Sequence, residues 1–238
     1  MAIQDQGILD GWKGLSQLVD QRFKEGWIYR GVPDYDPKKG LRPRIGRERV
    51  RINKDGMGLP YDAQEERRLL RQFQREARAL FEWVPKSDLE WMILGQHHLL
   101  PTRLLDWSES LLVAAYFAVA DAERDPKTYA AIYGVKPPEE IESDDPFSNN
   151  LSCEPKLVRP PHINPRITAQ QGVLTLHPKP AQDWDTDGIY LWRIKTTQCF
   201  TLKGKLNFCG IHAASLFPDS ADWHTKHLHW LHKVGRLS

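Results

Sequence analysis

The stretch Gln96-His97-His98-Leu99-Leu100-Pro101-Thr102-Arg103-Leu104-Leu105-Asp106-Trp107 decides how this chain is read, because it sets a crowd of polar groups beside an apolar helix. Two imidazoles, an amide, a hydroxyl, a guanidinium and a carboxylate follow one another closely. Burying them costs free energy unless they satisfy one another or a ligand. Arg103 and Asp106 can pair internally, in which case a charge-assisted bond fixes the corner and leaves nothing for a substrate; otherwise the same groups line a pocket. Past the polar corner from Thr102 to Ser110, the run Leu111 to Ala122 is apolar on nearly all sides and reads as a helix buried at the centre of the core.

Working upstream, Ser87 and Glu90 have capping-box spacing and open a helix through Trp91, Ile93 and Leu94. That helix must stop before Pro101, which puts Gln96, His97 and His98 in its last turn. Asp62 and Glu65 repeat the signature, and Leu69, Phe73, Ala77, Leu80 and Val84 then share one face of a long helix whose other face is salt-bridged surface. Between Gly40 and Pro60 the arginines Arg42, Arg44, Arg47, Arg49 and Arg51 mark an exposed basic connection, either solvated and paired with nearby acids or in contact with phosphates. Trp27, Ile28 and Tyr29 form a β-prone run ending in Arg30 and Gly31, since Val32-Pro33 cannot continue a central ladder; Arg30 is therefore expected at a strand end. Leu15, Leu18, Val19 and Phe23 predict a short amphipathic helix closed by Gly26.

Downstream, Tyr129 to Val135, Gly172 to Leu176 and Ile189 to Ile194 read as strands, and the Pro-rich stretch 136–168 as an irregular insertion. Asp219 can cap a last helix through Trp223, Leu228 and Leu231. The result is a mixed α+β chain forming a single domain over 1–238, with its core at about 14–232. His224, His227, His229 and His232 crowd the last helix, but they fall into two pairs that point in different directions, so no metal site is expected.

Hydrophobic residues make up 40% of the 238 and charged residues 27%, the balance of a folded protein. With 33 basic and 31 acidic residues the net charge is only +2, so no global field draws the chain to nucleic acid or membrane. Three cysteines without paired spacing, Cys153, Cys199 and Cys209, indicate neither a disulfide framework nor a zinc knuckle. A reducing compartment, the cytoplasm, is the expected setting, with no targeting segment or membrane span. Nine tryptophans supply core anchors or stacking surfaces.

Tyr29-Arg30-Gly31, the run from Gln96 to Trp107, Tyr116-Phe117-Ala118, Ala169-Gln170-Gln171-Gly172 and Leu216-Phe217-Pro218-Asp219 together resemble the FRG domain. The chain departs from that pattern at Val32, where Gln is usual, at Leu99, where Gly is common, and at Leu111, where Pro is common. Leu99 is expected to narrow or reshape the corner. By analogy of fold, the resemblance implies an ADP-ribosyltransferase-like architecture: a central split, mostly antiparallel sheet flanked by helices.

In that analogy NAD is the substrate, and Arg30, His97, Ser108 and Gln171 are the expected catalytic residues. Tyr29, Gly31, Arg103, Asp106, Trp107 and Tyr116 would bind the dinucleotide, with no metal. Cleaving the nicotinamide–ribose bond builds oxocarbenium character, which a carboxylate and an aromatic wall stabilise. Arg30 suits an anionic dinucleotide because a guanidinium offers planar, permanently charged recognition. Gln171 stands where a transferase has an acid, so either Asp106 serves instead or the nucleotide is bound without turnover. The resemblance thus implies an NAD-consuming effector of the bacterial toxin or phage-defence type, acting on a protein or nucleic-acid acceptor and held by an antitoxin. The alternative is a non-catalytic module for a nucleotide or nucleic acid. The first reading requires one pocket joining Arg30, His97, Trp107, Ser108 and Gln171.

Overall fold

The computed structural model describes residues 3–47, 51–81, 83–121, 128–148, 153–161, 165–186 and 188–236, the side chain of Arg51 excepted. Arg49, Ala122 and positions 149–152 and 162–164 of the expected insertion lie outside the described residues. The strands are β1 (Gln4–Ile8), β2 (Ile28–Val32), β3 (Arg51–Ile52), β4 (Gly58–Leu59), β5 (Leu104–Ser108), β6 (Tyr129–Val135), β7 (Lys156–Val158), β8 (Gly172–Leu176) and β9 (Ile189–Lys195). The helices are α1 (Gly11–Arg22), α2 (Ala63–Ala77), α3 (Asp88–His97), α4 (Leu111–Val119), α5 (Pro165–Gln170), α6 (Thr196–Phe208), α7 (Ala213–Leu216) and α8 (Ala221–Lys233).

The apolar run after the polar corner is α4, opened by Ser110, whose hydroxyl accepts the Val113 amide. Its residues are buried on nearly every side, as a helix without a polar face requires. α2 and α3 start where their capping residues put them: Asp62 accepts from the amides of Gln64 and Glu65, and Ser87 from that of Glu90. The apolar spacing of α2 outruns the helix, however. Leu80 and Val84 lie past its end at Ala77 and are exposed.

Seven strands form one sheet in the order β1-β9-β6-β2-β5-β8-β7, antiparallel throughout except for the parallel β1/β9 pair. Its middle is thin: β2 pairs with β6 over five residues, but with β5 only through Tyr29 and Ser108. Since neighbouring side chains alternate in direction, that register puts Tyr29, Leu104, Asp106 and Ser108 on one face. This face packs on α1, α4 and α6 over one half of the sheet and on α2 and α3 over the other. On the opposite face, Ile28, Leu105, Trp107, Tyr133 and Ile189 pack under Leu41 and Trp184 from the long connections.

Three expectations change. Arg30 is the middle residue of β2, not its end, because the pairing to β6 continues to Val32 with Ala131. The corner from Thr102 to Ser110 contains the strand β5. Ala169-Gln170-Gln171 ends a helix instead of starting a strand, since Pro165 at the first helical position presets α5 and Gln171 then turns the chain at a φ of 47° into β8.

Gly31 explains how β2 and α4 come so close. A Cβ there would lie 1.9 Å from the Ala114 carbonyl oxygen and 2.5 Å from the Ala118 nitrogen, so only glycine lets the helix rest on the strand. The neighbouring Arg30 is thereby held at a fixed height in the sheet. The basic connection after β2 is likewise built in: Leu41, Ile45 and Gly46 are buried, Arg42 bonds Asp183, and Arg44 donates to the Leu99 carbonyl.

Candidate functional site

The C-terminal turn of α3 is closed by Leu99 N–H on the Gln96 carbonyl and Leu100 N–H on the Gly95 carbonyl. Leu99 makes this closure at a φ of 69°, in the left-handed region that glycine occupies without penalty. Its side chain is 74% exposed, so it does not narrow the corner; the departure from glycine is felt in the backbone. The turn holds Gln96, whose amide nitrogen donates to Asp106 Oδ1 at 2.6 Å and whose oxygen accepts the Thr102 hydroxyl. Asp106 is thus oriented by Gln96, while its side chain remains 67% exposed.

Where pairing between β2 and β5 stops, Arg30 fills in. Its Nη1 donates to the Asp106 carbonyl at 2.6 Å and lies 3.8 Å from Asp106 Oδ2. Among the described residues, its Nε and Nη2 make no hydrogen bond. Burial lowers the guanidinium pKa; Asp106 works against that shift and Arg47 adds to it. The expected pairing of Arg103 with Asp106 is therefore corrected: Asp106 faces Arg30, and Arg103 is engaged elsewhere. Glu66 of α2 receives Arg103 Nη2 at 2.7 Å and Nε at 3.1 and 3.2 Å, both side chains being almost fully buried. Tyr61 and the Pro146 carbonyl take further donors, and Phe147 stacks under the guanidinium.

On the helix-covered side of this seam, a cleft of about 380 Å³ opens between the end of α3, α5 and the segment after α7. Asp106, Gln96, His97, Arg166 and Gln170 give it polar groups, and Phe81, Trp83, Leu174 and Phe217 its apolar walls. Burial, then Arg166 and His98, lower the His97 pKa against the pull of Asp219 and Asp106, so the imidazole is neutral at neutral pH. Arg166 is paired with Asp219 at 2.6 Å, which takes that carboxylate away from its expected role capping α8; Ser220 occupies the cap position. Phe217 stacks on Trp223 at 4.1 Å, and Gln170 Nε2 donates to the Leu216 carbonyl.

On the opposite side, Arg30 lines a second hollow of about 780 Å³ together with Tyr133, Leu105 and the connection 33–42. Beneath it runs a buried polar chain: Trp107 Nε1 donates to Thr175 Oγ1, which lies 2.9 Å from His177 Nε2. Burial, reinforced by Arg30, pushes the His177 pKa down to about 3. With Trp107 donating to the Thr175 oxygen, the Thr175 hydroxyl hydrogen is free for a neutral His177.

The expected site residues are thus divided. His97, Asp106 and Trp107 border the cleft, Arg30 and Gly31 the second hollow, and the two spaces meet at the Arg30–Asp106 contact. Ser108 is buried, donating to the Gln170 carbonyl and accepting the Ser110 amide. Gln171 is exposed, its carbonyl accepting the Glu109 amide, and borders neither space. Tyr29 and Tyr116 are core residues, Tyr116 reaching a third cavity beside α8. Among the described residues, neither the cleft nor the second hollow joins all five residues of the single pocket expected, because the sheet itself lies between Arg30 and His97. Arg166 and His177 are not among the expected residues and depend on tertiary contacts, whereas Gln96, already one of the polar groups of the corner, is legible as the polar partner that a buried helix end needs.

Residues 25–127 match the family model of the FRG domain. Neither a curated protein nor a solved structure matches the chain at a significant level.

Proposed function

From the premise that the chain carries an FRG domain, we propose that the seam between β2 and β5 is a nucleotide site with ADP-ribosyltransferase-like chemistry, in which Asp106 supplies the carboxylate that Gln171 lacks. One observation carries this reading: an exposed carboxylate, oriented by Gln96, stands in an aromatic-walled cleft 3.8 Å from a guanidinium whose Nε and Nη2 make no hydrogen bond among the described residues. NAD has parts to match each feature. Its planar rings suit the Phe217 and Trp83 walls of the cleft, and its diphosphate would meet the guanidinium of Arg30 at the Arg30–Asp106 contact, where the two spaces join.

When the C–N bond to nicotinamide breaks, the bonding electrons leave with nicotinamide and positive charge builds on the ribose carbon. Asp106 would stabilise that charge. His97, neutral and in the same cleft, is the group available to take the proton from the attacking water or acceptor hydroxyl. A second reading is favoured by Gln171 standing clear of both spaces: nucleotide binding without turnover.

Purified protein incubated with NAD, with nicotinamide release followed over time, separates the two. Release that falls at least about a hundredfold in Asp106→Asn, in line with loss of a transition-state electrostatic contact, supports the transferase reading. Saturable NAD binding without release supports the second, and neither binding nor release ends both.

A further inference from the structure

The arginines of α2 take no part in that chemistry, yet the fold gathers them. Arg67, Arg68, Arg71, Arg75 and Arg78 are all exposed and line one shallow hollow of about 980 Å³ along the helix. At the pitch of an α-helix these side chains leave the axis within an arc of about 100° and are strung over roughly 16 Å. Leu70, Phe73 and Ala77 leave it elsewhere and pack into the core with α3. Gln64 and Gln74 complete the lining, so every side chain in it carries hydrogen-bond donors.

The carboxylates of the same helix lie outside that arc. Glu66 is buried against Arg103, Glu76 accepts the Gln72 amide, and Glu65 pairs with Arg68 at 2.9 Å. This face of α2 is expected to be laced with salt bridges, but among the described residues Arg67, Arg71, Arg75 and Arg78 make none. An ordinary solvated helix mixes the two signs, because like charges one turn apart repel and weaken it. Here Arg67, Arg71 and Arg75 follow one another at that spacing, in a chain whose net charge is only +2. The helix carries that cost without a partner inside the fold to offset it.

The array is also held in place. Arg67 Nη2 donates to the Phe147 carbonyl at 3.0 Å, with its guanidinium 4.4 Å from the Phe147 ring. Arg75 donates to the Gln72 side chain, and the buried Glu66–Arg103 pair ties α2 itself to β5.

We propose that this face of α2 binds the sugar–phosphate backbone of a nucleic-acid duplex. Guanidinium groups take phosphate oxygens two at a time, and a straight row of them matches the closely spaced charges of a duplex. A single strand is a poorer fit, since the hollow has no aromatic side chain on which bases could stack. An anionic membrane needs an apolar side to insert, and that side of α2 is spent on the core. A protein partner needs a buried apolar anchor, which a lining of Arg and Gln lacks. The surface is independent of the seam and of the chemistry proposed there.

The test titrates the whole chain into short fluorescently labelled RNA and DNA duplexes of one mixed sequence and reads anisotropy over a range of salt. Saturable binding of either duplex is expected, the tighter one naming the source, with log K falling against log salt at a slope of about −4. Arg71→Gln with Arg75→Gln keeps good helix formers in place. That double variant should reduce the slope by about two and weaken binding at least about tenfold at about 0.1 M salt. Lys13→Gln with Lys24→Gln, which removes the same charge from exposed positions in and just after α1, should change neither. The proposal is overturned by no saturable binding, by an equal loss in the lysine variant, by an unchanged slope in the arginine variant, or by tighter binding to a single strand, an acidic polypeptide or phosphatidylserine vesicles.

Discussion

Arg30 and Arg103 both belong to the motifs by which the chain is recognised, and the structure uses them in opposite ways. Arg103 is surrounded: Glu66, Tyr61 and Pro146 take its donors and Phe147 covers its face. It ties α2 to β5 and has little left to offer a ligand. Arg30 has one carbonyl and one carboxylate at 3.8 Å, and it borders open space. A guanidinium in a motif thus announces a buried cation, whereas its function depends on how many partners the fold has already given it.

The sharpest way to break this contrast is to remove the charge at each position and compare. Arg103→Ala leaves Glu66 buried without its partner and should lower the unfolding free energy by about 3–5 kcal/mol, read from urea denaturation. If the role is structural, the double change Arg103→Met with Glu66→Leu should recover much of that loss, because an apolar pair needs no compensation. A double variant as unstable as the single one would mean that Arg103 does more than staple the fold.

Acid exposes the neighbourhood of Arg30. His177 has a lower pKa in the fold, about 3, than the ordinary 6.5, so the unfolded chain binds the proton more readily between these values. Its contribution is intact above pH 6.5 and is lost as the pH falls towards 3, by about 1.4 kcal/mol per pH unit. Denaturation midpoints measured from pH 7 to pH 4 in the native chain and in His177→Gln should show a shallower slope in the variant. Arg30→Met comes next. It gives up one hydrogen bond to a carbonyl and should cost only about 1–2 kcal/mol of stability, while the NAD binding proposed for the seam should fall away, as titration calorimetry would read. The smallest effect is a gain: Leu99→Gly relieves a left-handed residue that costs roughly 1–2 kcal/mol, offset in part by the greater freedom of glycine in the unfolded chain. A net rise of up to about 1 kcal/mol is expected, visible as a higher melting temperature.

Much of the fold is legible because its signals are local. α4 is readable from an apolar run with no polar face, α2 and α3 from Asp62 and Ser87, and β6, β8 and β9 from their β-prone residues. α6 gives a weaker signal: Cys199, Leu202 and Leu206 keep helical spacing, but Thr196, Thr197 and Gly204 lower its propensity. β1 gives almost none, being an exposed edge strand with little apolar alternation. The site was harder. Arg103 has Asp106 three residues away, but it pairs with Glu66, thirty-seven positions distant, and no spacing rule joins those two. Likewise, the opposite placement of Arg30 and His97 follows from the strand register, which the motif residues do not state.

The lone Tyr29–Ser108 rung carries a mechanical consequence. Elsewhere in the sheet, repeated backbone bonds resist sliding; here the backbone supplies one rung, and the helix lying on Gly31, the shared core under Leu41 and Trp184, and a side chain acting as a tether to the Asp106 carbonyl join the two halves. An anion that draws that side chain away loosens the tether, so occupancy would be transmitted as added slack between the two halves of the molecule.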